Sequence, residues 1–203
     1  MINRMGYLSL IMGCMFAQKT TALLCRIRRF ESIGYRVLVI NHSKDERYGK
    51  NSIATHDLTT DLDGQKQSIN RCTARCIDRL ELADRVVRGG EYNVVIIDEA
   101  QFFGDLFDYV TAWADELDIH IIVAGLDGDC NRKPFGDILR LIPHAEEVER
   151  LSAFCSVCRN GTLAKFSKFI GSDNSGGTGQ VLVGGSEVYK PVCRKHYINQ
   201  MSI

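Results

Sequence analysis

Apolar positions along the first two-thirds of the chain switch between strand-like runs and helix-like spacing, and this alternation predicts a layered α/β arrangement. Residues 7–12 (Tyr-Leu-Ser-Leu-Ile-Met) form a short apolar run that reads as a buried strand. Residues 19–33 follow with helical spacing, which gathers Leu23, Leu24, Ile27 and Phe30 on one face and leaves Arg26, Arg28 and Arg29 on another. Gly34 ends that helix. Residues 36–40, 93–97 and 119–124 are further β-branched runs, each suited to a strand covered on both faces. Residues 62–90 read as mostly helical and surface-lying, and residues 103–117 as a helix that brings together Leu106, Phe107, Val110, Trp113 and Leu117. Strands alternating with helices in this order predict a largely parallel sheet. From about Leu151 the texture changes to short strand-like pieces around cysteines, with a Gly/Ser-rich tract at 171–179 that reads as a mobile loop.

Composition narrows the picture. A chain of 203 residues, 45% hydrophobic and 25% charged, can bury one sizeable core and a small appended module, but not two full domains. Lys plus Arg and Asp plus Glu balance at 25 each, so no basic field exists to hold a nucleic acid, and a small-molecule partner is expected. Of the eight cysteines, Cys14, Cys25, Cys72, Cys76 and Cys130 stand isolated, and only Cys155, Cys158 and Cys193 fall into a spaced motif. That usage fits a reducing compartment. Arg4 and the apolar run at 7–16 mimic a signal peptide, but cleavage there would remove a strand and the loop that follows it. No run approaches the roughly 18 apolar residues of a membrane span. The expectation is a cytosolic protein with neither membrane nor nucleic acid as partner.

Three motifs carry chemistry. The strand at 7–12 runs into Gly13-Cys14-Met15-Phe16-Ala17-Gln18-Lys19-Thr20, the spacing of a Walker A phosphate loop with Gln18 in place of the second glycine. Phosphate binding asks for this layout, because amides at a helix N-terminus and a lysine face the phosphates while a hydroxyl reaches Mg²⁺. With one fixed position missing, the pattern alone fits either a nucleotide site or an ordinary strand-turn-helix. The run Val94-Val95-Ile96-Ile97 then delivers Asp98 and Glu99 at the end of a buried strand. In phosphate-loop folds that end faces the loop, so Asp98 can act on Mg²⁺ and Glu99 can reach the reacting hydroxyl; a solvated strand end is the plain alternative. Both motifs in one α/β domain, in this order, favour nucleotide chemistry. Finally, Cys155-x-x-Cys158 and Cys193-x-x-His196 each supply half of a tetrahedral Zn²⁺ site, and three cysteines with one histidine leave no place for water, as in structural zinc. His42, His120 and His144 read instead as surface or satisfied histidines.

Together these residues resemble the cytosolic, zinc-containing thymidine kinase family over nearly the whole chain. Gly13 to Thr21 is similar to that family's phosphate loop, and Asp98-Glu99-Ala100-Gln101-Phe102-Phe103 to its acidic block. Leu126-Asp127-Gly128 with Arg132-Lys133-Pro134-Phe135-Gly136 is similar to its central loop, and Gly184-Gly185-Ser186-Glu187-Val188-Tyr189 completes the set. The resemblance implies a RecA-like α/β phosphate-loop domain over 1–150 and a small zinc-ribbon or lasso domain over 151–203 that closes on a nucleoside. It implies transfer of the γ-phosphate of ATP to the 5′-hydroxyl of thymidine, with Glu99 as general base. Gly13, Met15, Phe16, Ala17, Gln18, Lys19, Thr20, Thr21, Asp57, Asp98 and Gln101 would hold ATP and Mg²⁺. Met15, Phe102, Leu126, Phe135, Gly184 and Tyr189 would enclose the base, while Phe103 reads as core. A homotetramer and inhibition by thymidine triphosphate are implied as well.

The chain also departs from the family pattern. Cys14 stands where proline is common, Cys130 where an aromatic is frequent, and Leu58 and Phe169 where arginines are expected. Gln18 has to accept a strained backbone or shift the loop, and either is expected to weaken ATP binding. Two rival classes follow: a nucleotide-binding regulator that kept the fold and lost turnover at Gln18, and a zinc-ribbon nucleic-acid binder. Retention of Lys19, Thr20, Asp98 and Glu99 opposes the first; zero net charge and few basic-aromatic clusters oppose the second.

Overall fold

A computed structural model describes residues 6–44, 72–171 and 188–199. Strand β1 (Tyr7–Gly13) leads into helix α1 (Lys19–Ser32) and strand β2 (Val37–His42). After β3 (Cys72–Ile77) come α2 (Glu81–Arg88), β4 (Val94–Ile97), α3 (Leu106–Glu116), β5 (His120–Gly125) and β6 (Glu147–Leu151). These six strands form one sheet in the order β3-β2-β4-β5-β1-β6, with every pairing parallel. The parallel α/β architecture expected from the alternating pattern is therefore present.

The central strands are apolar on both faces because both faces are covered. On one side, Ile11, Val37, Val39, Val94, Ile96 and Ile122 pack under Leu23, Leu24 and Ile27 of α1. On the other, Leu8, Leu10, Leu38, Ile40, Val95 and Ile97 pack under Ala83 and Val87 of α2 and Leu106, Val110 and Trp113 of α3. Full burial of such a side chain contributes roughly 1.5–3 kcal/mol. Trp113 is wholly buried, and its indole N–H donates to the Asp84 carboxylate at 2.8 Å, which satisfies the polar edge.

Two elements differ from the sequence reading. Residues 72–77, expected to be helical, form the edge strand β3; among the described residues of that region, 72–90, only 81–88 are helix. An edge strand has one neighbour, so β3 carries Thr73, Arg75 and an exposed Cys76 rather than a two-faced apolar run. The other edge, β6, reads Glu-Val-Glu-Arg-Leu, and its charges are matched across the layer: the Arg26 guanidinium on α1 forks onto Glu147 at 2.9 and 3.0 Å and reaches Glu149 at 3.2 Å. Ser9 of β1 donates to the same Glu147 carboxylate at 3.0 Å.

Past the sheet, β7 (Ala153–Phe154) pairs with β8 (Leu163–Ala164), β9 (Phe166–Phe169) pairs with β10 (Tyr189–Val192), and α4 (Arg194–Ile198) follows. A third apolar cluster joins Ala153, Cys155, Ala164 and Val192 of this region to Cys14 and Ala17 of the loop after β1. Apart from Gly171, the Gly/Ser-rich tract lies outside the described residues, as do Asp57 and Gly184. Among the described residues no helix is long and apolar enough to cross a membrane.

Candidate active site and metal cluster

The carboxyl ends of β1, β4 and β5 lie on one edge of the sheet, where ligands of parallel α/β folds collect. From β1 the chain leaves through Gly13, whose glycine is dictated by a neighbour: a Cβ there would sit 2.7 Å from the Leu151 carbonyl oxygen of β6. The loop then turns with Phe16 (φ 63°) and Gln18 (φ 62°, ψ 31°) in the left-handed region. Gln18 thus accepts the conformation a glycine would hold freely, at a cost of roughly 1–2 kcal/mol for a residue with a Cβ. Helix α1 starts at Lys19 with no side-chain cap and no acidic residue in its first turn, so its leading amides and dipole favour an incoming anion.

Lys19 Nζ donates to the carbonyls of Gly13 at 3.3 Å and Cys14 at 3.0 Å. Burial pushes its pKa down, against the opposing pull of the Glu99 and Asp98 charges. Thr20 Oγ1 donates to Asp98 Oδ2 at 3.2 Å, which brings the two hard-oxygen candidates for Mg²⁺ together across β5. Asp98 is buried; burial first, and the adjacent Glu99 charge second, hold its carboxyl well above the usual carboxylate range. The Cys14 thiol is also buried, bonds to the Ala164 carbonyl at 3.4 Å, and is pushed up by that burial. Thr21, Phe16 and Gln18 are exposed, whereas Ala17 is buried.

Glu99 follows Asp98 in a left-handed conformation (φ 52°, ψ 39°) that turns the chain into the short 3₁₀ turn Ala100–Phe102. Gln101 Nε2 donates to Glu99 Oε2 at 2.6 Å, and Gln101 Oε1 accepts the Leu126 amide at 2.9 Å. One buried side chain therefore ties the loop after β4 to the loop after β5. Phe102 and the buried Phe135 stand perpendicular with ring centroids 5.6 Å apart. Phe135 is held there by Gly136 (φ 60°), at which a Cβ would collide with the Gln101 carbonyl oxygen. Phe103 is core, as expected, and His42 is a satisfied histidine: its Nδ1 accepts the Lys44 amide at 3.0 Å and its ring packs on Phe103 at 4.7 Å. Met15 is half-buried, its amide donating to Ser167 Oγ of β9 at 2.9 Å. Tyr189 lies buried on β10, its ring 5.6 Å from that of Phe169.

Cys155, Cys158, Cys193 and His196 converge, with ligand atoms all within 4.8 Å of one another. Cys158 Sγ is 3.8 Å from Cys193 Sγ, and His196 Nδ1 is 3.3 Å from each of these sulfurs and 3.5 Å from Cys155 Sγ. A tetrahedron with metal–sulfur bonds of about 2.3 Å and a metal–nitrogen bond of about 2.0–2.1 Å has edges of about 3.8 Å and about 3.6 Å, so the four groups fit a zinc-sized ion.

Three contacting residues went unassigned in the sequence. Ser167 fastens the phosphate loop to β9; Asp127, beside Leu126, takes an ion pair from Arg150 at 2.6 Å; Tyr197 bonds to the Cys130 carbonyl at 2.7 Å. Adjacency to Leu126 and to His196 was the available signal for the last two.

A family model described as thymidine kinase matches residues 6–197. The chain is 40% identical over 195 residues to thymidine kinase a of Arabidopsis thaliana, covering 95% of this chain and 75% of that one. It is 37% identical over 194 residues to the thymidine kinase of vaccinia virus (strain Western Reserve), covering 96% and 98%. The thymidine kinase of Oryza sativa subsp. japonica is 39% identical over 197 residues, covering 96% and 67%.

Proposed function

Because this chain belongs to the thymidine kinase family, we propose that it transfers the γ-phosphate of ATP to the 5′-hydroxyl of thymidine, giving thymidine monophosphate and ADP. The observation that carries this reading is the Gln101 bridge, which holds the Glu99 carboxylate beside the Thr20–Asp98 pair at the head of the phosphate loop. Phosphoryl transfer needs positioning and charge stabilisation more than covalent help from the protein. Glu99 takes the proton of the 5′-hydroxyl as that oxygen attacks the γ-phosphorus. Lys19 and the first amides of α1 neutralise charge on the phosphates and on the departing ADP. Thr20 and Asp98 would hold Mg²⁺, which when bound draws charge from the β- and γ-phosphates. Phe102 and Phe135 offer flat apolar faces to the thymine, with Met15, Leu126 and Tyr189 at its edges.

The Cys155, Cys158, Cys193 and His196 cluster takes structural zinc in this reading, with the division into nucleotide-binding and lasso parts near residue 150. Tetramer formation, inhibition by thymidine triphosphate and a cytoplasmic setting belong to the same proposal. The regulator alternative is not favoured, since Lys19, Thr20, Asp98 and Glu99 remain in contact or charge range of one another. Incubating the purified protein with ATP and thymidine, with and without Mg²⁺, and separating the nucleotides tests the assignment. Equimolar ADP and thymidine monophosphate formed only with Mg²⁺ support it; no thymidine-dependent ADP overturns it.

A further inference from the structure

We propose that Tyr197 is a positioning residue for the nucleoside: it fixes the loop that carries Phe135 and so sets thymidine affinity without touching the substrate. The inference rests on the reading of Phe102 and Phe135 as walls of the nucleoside site. Tyr197 follows His196 of the metal cluster on α4, and its amide donates to the Cys193 carbonyl at 2.9 Å, so two residues of the cluster fix the start of its backbone. Its hydroxyl crosses to the other half of the molecule and donates to the Cys130 carbonyl at 2.7 Å. The Arg132 guanidinium lies over the same ring at 4.4 Å from its centroid, and over Phe166 of β9 at 5.8 Å.

These contacts grip a loop that is bonded across itself. Gly128 and Pro134 form an antiparallel bridge across it. The Asp129 amide donates to the Lys133 carbonyl at 2.9 Å, and Asp129 Oδ1 accepts the amides of Asn131 at 2.9 Å and Lys133 at 2.8 Å. Arg132 sits in the left-handed region (φ 62°), a conformation that persists only where surrounding contacts fix it. The loop leads directly to Phe135, whose ring meets Phe102, and to Gly136, whose backbone lies on Gln101. The metal-cluster helix, the loop and the aromatic wall thus form one mechanical sequence. Releasing its Tyr197 link lets the Phe135 wall wander, which weakens nucleoside binding while leaving Glu99, whose carboxylate is bonded by the Gln101 side chain and not by this loop, in place.

The test compares Tyr197→Phe, Arg132→Met and the double variant with the parent. Tyr197→Phe deletes one hydroxyl and keeps the ring; Arg132→Met keeps the stem and removes the cation over the ring. Each is expected to raise the KM and the dissociation constant for thymidine about three- to tenfold, with kcat within about twofold. The KM for ATP and the metal content stay at the parent's values. The double variant falls short of the product of the two effects, because both residues act on one loop. Unchanged thymidine binding in either single variant, a fall in kcat at fixed KM, or a fully multiplicative double variant overturns the inference. If Tyr197→Phe lost its metal or its protease resistance, the same KM test on Arg132→Met alone would decide the matter. A parent that phosphorylates thymidine while both variants bind it normally defeats this inference only; a parent that neither binds nor phosphorylates thymidine defeats the functional reading with it.

Discussion

The Gln101 side chain grips Glu99 from two residues further along the chain, with its amide nitrogen 2.6 Å from the carboxylate and its amide oxygen committed to Leu126. Glu99→Gln preserves an oxygen for that amide to bond, so the loop keeps its shape while the proposed base is lost. Turnover is expected to fall on the order of a hundredfold to ten-thousandfold, with ATP affinity nearly intact. Single-turnover rates and equilibrium ATP titration read the two quantities separately; an unchanged rate would place the base elsewhere.

Gln18 holds its left-handed backbone in the fold itself (φ 62°, ψ 31°), so its strain is present before any nucleotide arrives. Gln18→Gly relieves roughly 1–2 kcal/mol of strain but adds about 0.5–1 kcal/mol of unfolded-state freedom, leaving a net gain between about zero and about 1.5 kcal/mol. ATP affinity, expected from the sequence to suffer from this strain, is now expected to change less than about threefold, because the strain is common to the free and bound states. Thermal melts and ATP titration check both; tightening of tenfold or more would mean that the glutamine shifts the loop after all.

Cys158→Ser removes one corner of the metal cluster, 3.3 Å from His196 Nδ1 and 3.8 Å from Cys193 Sγ. A structural zinc contributes folding free energy directly, so the variant is expected to lose its metal and to become protease-sensitive in its last third. Elemental analysis of the parent protein is decisive, since a parent without zinc would end the idea.

Acid stability provides a fourth check. The Arg26 hydrogen bonds hold the Glu147 carboxyl below its ordinary pKa of 4.5, with Ser9 adding to the effect and burial opposing it. A folded-state pKa lower than the unfolded one stabilises the protein above that ordinary value, and the contribution is lost as pH falls through the folded pKa. Glu147 is partly exposed, so Glu147→Gln is expected to cost only about 0.5–1 kcal/mol near neutrality. The gap between variant and parent melting temperatures closes below about pH 4.5. A gap that persisted in acid would assign the loss to packing rather than charge.

Legibility in the sequence followed burial. Strands β1, β2, β4 and β5 were readable because two covered faces demand unbroken apolar runs, and α1 and α3 because one covered face demands helical spacing. The edge strands were not. The inner face of β6 carries Glu147 and Glu149, and nothing local says that Arg26, more than a hundred residues earlier, will neutralise them. The Cys/His quartet was legible because it is short in sequence and fixed in spacing, as are the proposed phosphate loop and acidic pair. Contacts such as Met15 to Ser167 or Tyr197 to Cys130 were not, since they join residues 152 and 67 positions apart through ordinary serine and tyrosine side chains.

The close approach of Leu151 to Gly13 bears on how this loop can be engineered. Its first glycine answers to a strand edge as well as to the proposed phosphate, since any Cβ there meets a backbone carbonyl that cannot move without unpairing β6. A library randomised across residues 13–20 and sorted only for soluble expression, with no nucleotide and no turnover demanded, would still return glycine at 13. At 18 the same sort would leave glutamine and glycine close to evenly matched. Residue frequencies gathered from such variants would report architecture alone, and only the positions that a second sort for turnover constrains further would report chemistry, so a loop signature read by itself mixes two different kinds of constraint.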